Sequence, residues 1–287
     1  MVAVQAFDTF LTERGIPFRI DEPLGPFTTM KVGGPADFLI EPRTPEDLAA
    51  AFRAARECDV PVRLLGSGAN LLIRDAGVRG AVLRLTHLNR RDGLHVQAGY
   101  NFAKLVKETA AEGLSGLECL AGIPAQVGGA IRMNAGGRHG ETAAAVAYVD
   151  VMTPIGEIRR LTRDQVGFRY RGTALGDAVV LAAGFDLRPG EGMRERYEDV
   201  LNQKKASQPL GTHNAGCMFK NPPGGQAGRI IDECGLKGLR VGNAHVSERH
   251  ANFIENDGGA TAADILTLVE QIQRRAPVPL ELEVLVW

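Results

Sequence analysis

Short apolar stretches alternate with longer amphipathic ones through the first half of the chain. The apolar segment 38–40 precedes "RTPEDLAAAFRAAREC", in which Thr44 and Pro45 are typical of a helix N-terminus. The runs "VPVRLL", "GAVLRL" and "GLHVQAG" predict strands, and "NFAKLVKETAAEGL" predicts an amphipathic helix that begins at Asn101. The pattern therefore predicts alternating strands and helices.

The second half of the chain also contains apolar segments typical of strands and amphipathic segments typical of helices, in a different order. "AYVDVMTPIGEIRRLT" predicts two strands joined by a turn at 154–156, and "AVVLAAGFDL" predicts another strand. A charged helix, "MRERYEDVLNQKKASQ", then leads into strands "CMFK", "NFIEN" and "LELEVLVW" and helices "AGRIIDECGLKG" and "TAADILTLVEQIQRR". This change predicts a domain boundary near residue 190.

Composition narrows the class of protein. The 287 residues, 44% hydrophobic and 23% charged, suit about two soluble globular domains. A net charge of −1 gives no field that would attract nucleic acid or an anionic membrane, so an anionic ligand needs local groups to hold it. The start of the chain lacks an export signal, and no apolar run approaches the roughly 20 residues of a membrane span. We expect a cytoplasmic protein.

Cysteine and histidine spacing argues against a metal site. Cys58, Cys119, Cys217 and Cys234 form no CxxC pair, so free thiols are expected. The six histidines have no metal-ligand spacing, and we predict no metal.

Two glycine-rich segments are candidates for binding a large anionic cofactor. "LLGSGANLLI", residues 64–73, follows a predicted strand, and its backbone amides could face an anion. It is not the dinucleotide fingerprint, because Leu71 takes the place of the third glycine. The glycines of 116–140 predict a loop without regular structure, to which Arg132 and Asn134 add donors. Two such loops suit a diphosphate and a planar ring, although each alone could simply pack on itself.

Three further segments carry groups that could act on a substrate. As a strand, "FRYRGTAL" would place Arg169 and Arg171 on one face, where an arginine can grip a carboxylate or remain solvated. In "LELEVLVW", Glu281 and Glu283 share a face that could point to solvent or into a site. Cys217, in "AGCMFKNPPGG", has by composition alone the character of a small buried residue.

Taken in order, six segments resemble the UDP-N-acetylenolpyruvoylglucosamine reductase family, in its shorter type without a loop inserted in the substrate domain. They are "TTMKVGGPADF", "LLGSGANLLI", "AGIPAQVGGAIRMNAGGRHGE", "FRYRGTAL", "AGCMFKNPPGGQAGRIIDECGLKGLRVGNAHVSERHANFIEN" and "LELEVLVW". The resemblance runs from about residue 27 to the C-terminus. It implies an α+β protein: a two-subdomain FAD-binding fold of the vanillyl-alcohol-oxidase type (residues 1–62 and 63–190) plus a C-terminal α+β substrate domain (191–287).

The same resemblance implies an activity. It is the reduction of UDP-N-acetylenolpyruvoylglucosamine to UDP-N-acetylmuramate by NADPH through FAD, in the peptidoglycan synthesis on which the cell wall, cell shape and cell division depend. The expected partners are this substrate and NADPH, with no nucleic acid and no membrane, and the expected state is a monomer. Two alternatives remain at this point: a flavin oxidase of the same cofactor fold, and a catalytically silent nucleotide-sugar-binding protein.

The resemblance also implies roles for particular residues. Arg171 and Glu283 would flank the enolate, and Cys217, which stands where the family has a serine, would donate the proton. Lys220 and Asn221 would touch the substrate. The implied cofactor contacts are Gly66, Ser67, Gly68, Ala69, Asn70 and Leu71 at the diphosphate, and Gly122, Ile123, Gly128, Gly129 and Asn134 near the flavin.

Overall fold

The computed structural model describes residues 2–287, with side chains from residue 5 onward. Its α-helices are α1 (Val2–Glu13), α2 (Pro45–Glu57), α3 (Phe102–Ala111), α4 (Val127–Arg132), α5 (Arg163–Val166), α6 (Met193–Ser207), α7 (Ala227–Glu233) and α8 (Ala262–Arg275). No helix in this described range is both long enough and apolar enough to cross a membrane.

The strands are short and spread over the whole chain. They are β1 (Phe18–Pro23), β2 (Pro35–Ile40), β3 (Val62–Leu64), β4 (Leu71–Leu72), β5 (Val78–Leu83), β6 (Arg91–Asp92), β7 (His95–Gln97), β8 (Leu114–Ser115), β9 (Gly136–Gly137), β10 (Gly140–Glu141), β11 (Val146–Met152), β12 (Ile158–Thr162), β13 (Val179–Phe185), β14 (Arg188–Pro189), β15 (Arg240–Val241), β16 (Ala244–Val246), β17 (Ile254–Asn256) and β18 (Leu285–Val286).

The predicted helix starts are confirmed by their caps. The Thr44 hydroxyl accepts a hydrogen bond from the Asp47 amide at 3.1 Å, with Pro45 as the first residue of α2. The Asn101 carboxamide accepts one from the Lys104 amide at 2.8 Å, so α3 begins where the pattern placed it. These short-range bonds satisfy amides that a helix start leaves without partners, which is why sequence alone predicts them.

The chain divides into two compact units that are discontinuous in sequence. The first contains the residues up to 20 together with Phe38–Gly66 and Gly80–Gln203; the second contains Asp21–Asp37, Ser67–Arg79 and Lys204–Trp287. Two early segments therefore cluster with the C-terminal part. The boundaries at residues 62 and 190 stay predictions.

The first unit is built around a five-stranded antiparallel sheet in the order β12-β11-β13-β7-β6. The predicted hairpin is confirmed as β11 and β12, with Val149 opposite Leu161. Phe102 of α3 is fully buried in the same core as Val149 and Ala183 of the sheet. A second sheet has the order β1-β2-β5-β3.

The expectation that 116–140 holds no regular element is wrong at α4. Val127, Ala130 and Ile131 recur at the spacing of one helix face, and all three are fully buried in the core. Burial of this apolar face offsets the conformational cost of the glycines beside it.

The second unit packs helices α7 and α8 around a three-stranded sheet, β15-β16-β17. Phe219, Ile231, Val246 and Leu268 are buried in its core. The end of the chain contributes β18, which pairs in parallel with β4 and sets Leu285 opposite Leu71. The predicted strand "LELEVLVW" is therefore regular only over its last part.

The predicted strand "CMFK" forms a single antiparallel bridge, between Phe219 and Leu282. Its other edge is occupied by Asn252. The Asn252 carboxamide accepts from the Phe219 amide at 2.9 Å and donates to the Phe219 carbonyl at 2.8 Å. The Asn252 carbonyl accepts from the Met218 amide at 2.8 Å. Asn252 thus bonds the backbone groups of Met218 and Phe219 that a neighbouring strand would otherwise bond.

We expect Asn252→Leu to lower the free energy of unfolding by about 2–4 kcal/mol, because the buried Phe219 amide and carbonyl lose their partners. The control is Asn214→Leu, since the half-exposed Asn214 bonds groups that water can reach. Urea unfolding followed by the fluorescence of Trp287 measures both. If both variants lost the same free energy of unfolding, the bonds of Asn252 to Phe219 would stabilise the protein no more than those of the half-exposed Asn214.

Candidate functional site

The loop after β3 presents backbone amides without protein acceptors. In the described residues, the amides of Gly66, Gly68, Ala69 and Asn70 donate no hydrogen bond to the chain. Gly68 has φ +62°, and a Cβ there would lie 2.7 Å from the Thr28 Cα, so only glycine fits. Close packing thus holds the loop while its amides remain free to bind an anion.

Ser67 and Leu71, the other two predicted contacts of the diphosphate, differ from each other in burial. Ser67 lies half-buried in the same loop, whereas Leu71 is buried and paired with Leu285 in the β4–β18 sheet. The Leu71 side chain therefore belongs to the core of the unit rather than to a ligand surface.

The second glycine segment contains amides without an acceptor in the described residues and glycines that pack against the protein. Over residues 2–287, the amides of Gly122 and Gly129 have no acceptor in the chain, and no atom lies within 4 Å of a Cβ built at Gly129. Gly128 instead donates to the Ala98 carbonyl at 2.8 Å, and a Cβ there would meet the Ala98 Cβ at 2.9 Å. Ile123 packs against the core.

Each of these loops, taken by itself, fits part of the group that the sequence predicts. An FAD molecule offers an anionic diphosphate and a flat ring, which need amide donors and close approach of backbone. Gly66, Gly68, Ala69 and Asn70 provide such donors on one loop, and Gly122 and Gly129 provide them on the other. Gly128 contributes by bringing α4 close to Ala98 rather than through its own amide.

Asn134 was predicted to lie near the flavin, but its side chain is committed to the protein. Asn134 is buried, with 1% of its surface exposed. Its amide nitrogen donates to the Glu141 carboxylate at 2.8 Å and to the Arg169 carbonyl at 3.2 Å, and its oxygen accepts from the Ala143 amide at 3.0 Å. Both of its N–H donors are therefore used.

Arg132 forms hydrogen bonds to the loop that follows Tyr170 and Arg171, the Tyr-Arg motif of "FRYRGTAL". Its guanidinium donates to the Ala178 carbonyl at 3.2 Å and to the Gly176 carbonyl. The Arg132 carbonyl accepts from the Thr173 hydroxyl at 3.4 Å. Burial lowers the pKa of Arg132, and the nearby Asp177 carboxylate partly opposes this effect.

The Tyr-Arg motif is a tight turn, so the predicted strand with alternating faces is wrong. Arg169 and Gly172 exchange backbone hydrogen bonds of 2.9 and 3.1 Å, which leaves Tyr170 and Arg171 at the tip. Arg171 has φ +53°, in the left-handed region, and its guanidinium lies 4.9 Å from the centroid of the Tyr170 ring. A non-glycine residue in this conformation marks local strain, which clusters at functional sites.

In the second unit, the backbone of Glu283 joins three of the predicted segments. Its amide donates to the Met218 carbonyl at 2.8 Å, next to Cys217. Its carbonyl accepts from the Asn70 side chain at 3.1 Å, and the Asn70 carbonyl accepts from the Leu285 amide at 3.1 Å. The structure thus brings Cys217, Glu283 and the loop of Asn70 together.

Cys217 follows a tight turn with open space beside it. The Asn214 carboxamide accepts from the Gly216 amide at 2.9 Å, and Gly216 has φ +77° with no atom within 4 Å of a built Cβ. Cys217 itself is half-buried, and none of the four cysteines forms a disulfide in the described residues. The space beside the preceding residue, Gly216, is open.

Lys220 and Asn221 extend the same segment. The Lys220 ammonium pairs with the Glu281 carboxylate across the bridge, at 2.5 Å. The Asn221 oxygen accepts from the Ala227 amide at 3.0 Å, while its two N–H groups donate to no acceptor among the described residues. Asn221 is exposed, so those donors are available to a ligand.

Sequence reasoning missed the role of Asn252 and named Arg132 only as a donor of the glycine-rich segment. Asn252 fixes the strand of Cys217, and Arg132 fixes the loop after Arg171. Neither could be found from local pattern, because their partners lie 33 and 46 residues away in the chain. Arg171 belongs to the first unit, and Cys217 and Glu283 belong to the second.

Two family models match the chain. The C-terminal domain of UDP-N-acetylenolpyruvoylglucosamine reductase matches residues 208–287. An FAD binding domain matches residues 36–162, which include both glycine-rich loops.

Similar whole proteins agree with these matches. UDP-N-acetylenolpyruvoylglucosamine reductase 2 of Symbiobacterium thermophilum is 44% identical over 93% of this chain and 91% of its own length. The crystal structure of the Thermus caldophilus reductase is 42% identical, with a TM-score of 0.85 over 95% of this chain and 98% of that one. A glucose dehydrogenase, Phl p 4.0202, shares only the fold: TM-score 0.51 at 16% identity, over 66% of this chain and 44% of its own.

These similarities confirm the predicted α+β architecture, with its FAD-binding fold and C-terminal domain. Identity of 44% across nearly the whole length is far above what a shared fold alone requires. The chain belongs to the UDP-N-acetylenolpyruvoylglucosamine reductase family.

Proposed function

We propose that this chain reduces UDP-N-acetylenolpyruvoylglucosamine to UDP-N-acetylmuramate with NADPH, using FAD, as a step of peptidoglycan synthesis. Family membership supports the reaction. For this chain in particular, the observation that carries the proposal is the backbone bond from Glu283 to Met218, which joins the segments of the carboxylate and of the thiol. A monomer in the cytoplasm, without nucleic-acid or membrane partners, stays a prediction.

The amides of Gly66, Gly68 and Gly129 would hold FAD, which would supply the chemistry of hydride transfer from NADPH to the terminal vinyl carbon of the substrate. The residues of the chain must then manage the charge that develops on the neighbouring carbon and its carboxylate. Arg171 is proposed to hold this carboxylate. Arg171 stands at the tip of a two-residue turn, and the planar guanidinium of an arginine matches a carboxylate in a bidentate pair.

Cys217 is proposed to donate the proton that completes the addition. A thiol is a stronger acid than a hydroxyl and has a similar size, so it suits the place that a serine takes in the family. Gly216, the residue before this thiol, has open space beside its Cα. Proton donation to carbon leaves Cys217 as a thiolate. A proton from solvent then regenerates the thiol before the next turnover.

Glu283 is proposed to face the reacting carbons and to orient the substrate, since its backbone is fixed on both sides by Met218 and Asn70. Asn221 offers two free N–H donors to the sugar nucleotide, and Lys220 offers a cation held by Glu281. Lys220 and Asn221 therefore remain the proposed substrate contacts.

The test of the reaction separates its two halves. Purified protein with bound FAD, mixed with NADPH without oxygen, is expected to lose its yellow absorbance, and added enolpyruvyl sugar nucleotide is expected to restore it. Stopped-flow absorbance measures both steps. A flavin oxidase would recover its colour with oxygen but not with this substrate, and a silent binding protein would not be reduced by NADPH.

For the proton donor, we expect Cys217→Ser to keep substantial activity, because the hydroxyl is the group that the family uses. Cys217→Ala should leave reduction by NADPH intact and slow the substrate step by about a hundredfold or more. Cys234→Ala, the same change at a thiol bonded to the Arg275 carbonyl, serves as the control and should turn over normally. Unchanged turnover of Cys217→Ala would remove this thiol from the mechanism.

A further inference from the structure

The turn that carries Arg171 adopts a conformation that needs external support. Arg171 has φ +53°, and two backbone hydrogen bonds between Arg169 and Gly172 close the turn. In the left-handed region the Cβ of an L-residue lies too close to the following carbonyl oxygen, so the conformation is strained. Such strain persists only where surrounding groups over-determine the conformation.

The support reaches the turn through Asn134. Its amide nitrogen donates to the Arg169 carbonyl at 3.2 Å, and this carbonyl is the one that closes the turn by accepting from Gly172. Asn134 is itself held on two other sides, by Glu141 at 2.8 Å and by the Ala143 amide at 3.0 Å. Its position is therefore fixed independently of the turn.

Both N–H donors of the Asn134 side chain are occupied by these contacts. A carboxamide has two N–H donors, and both are taken, by Glu141 and by Arg169. The side chain is 1% exposed, so a ligand cannot reach it without breaking a bond of the protein. A direct contact with the flavin would have to replace one of them.

We infer that Asn134 is a positioning residue for Arg171 and does not contact the cofactor through its side chain. It fixes the Arg169 carbonyl, and with it the turn from which the guanidinium reaches the substrate carboxylate. The inference rests on the proposed function, since it gives Arg171 the carboxylate as its target. A displacement of about 1 Å in such a group can slow a reaction by about a hundredfold.

A pair of isosteric changes isolates the bond to Arg169. Combining Asn134→Asp with Glu141→Gln reverses the donor and the acceptor between these two side chains and keeps their bond and that to Ala143. The donor to the Arg169 carbonyl is lost. Glu141→Gln alone is the matched control, because its new carboxamide oxygen still accepts from Asn134 and the bond to Arg169 remains.

The measurements are FAD content, the rate of reduction by NADPH and the rate of reoxidation by the enolpyruvyl sugar nucleotide. For the double variant we expect FAD content and reduction within about twofold of the wild type, and reoxidation slower by about tenfold to a hundredfold. Glu141→Gln should match the wild type in all three. In an Arg171→Ala background the same double change should slow reoxidation by less than about twofold, because its effect passes through Arg171.

Three results would overturn the inference. The double variant could lose FAD while its FAD-loaded fraction is reoxidised at the normal rate, or Glu141→Gln alone could slow reoxidation as much as the double variant does. In the third, the double change slows reoxidation in the Arg171→Ala background by the same factor as in the wild type. If the double variant does not fold, Asn134→Ser, which keeps one short donor, is measured in the same way against the same predictions. The proposed function fails separately, when substrate does not reoxidise the wild-type protein at all.

Discussion

The functional part of the second unit depends on how the end of the chain is held. The segment around Glu283 is bonded on one side to Met218 and on the other to Asn70, so backbone hydrogen bonds fix it along both edges. The parallel pairing of β18 with β4 and the bridge between Phe219 and Leu282 extend the same arrangement. Without this C-terminal segment, the segment of Cys217 and the glycine loop of Asn70 would have no shared hydrogen-bond partner.

The structure separates polar groups that serve the protein from those left for a ligand. Asn252 and Asn134 are buried, and their side chains bond to backbone and side-chain groups of the chain. The amides of Gly68 and Gly129, by contrast, have no acceptor among the described residues. Gly68 is buried, and a buried amide without a partner is costly, so its loop indicates a place where a ligand completes the bonding.

Local chemistry made much of this predictable from sequence. The caps at Thr44 and Asn101 and the hairpin of β11 and β12 were predicted because their signals span only a few residues or a simple period. The ordered segments also predicted the family, since each keeps its residue types at fixed spacing. The turn at Arg171 was misjudged as a strand, because alternation of aromatic and arginine residues does not report a left-handed conformation.

The sequence by itself thus determined the capped helices, the hairpin of β11 and β12, the two glycine-rich segments and the family to which the chain belongs. Only the tertiary structure decided that α4 forms within the glycine-rich segment, that residues 21–37 and 67–79 cluster with the C-terminal part, and that Asn134 bonds to Arg169 rather than facing outward. The physical reason is distance along the chain. Hydrogen bonds and burial between groups tens to hundreds of residues apart leave no periodic trace, so they are specified by packing rather than by local pattern.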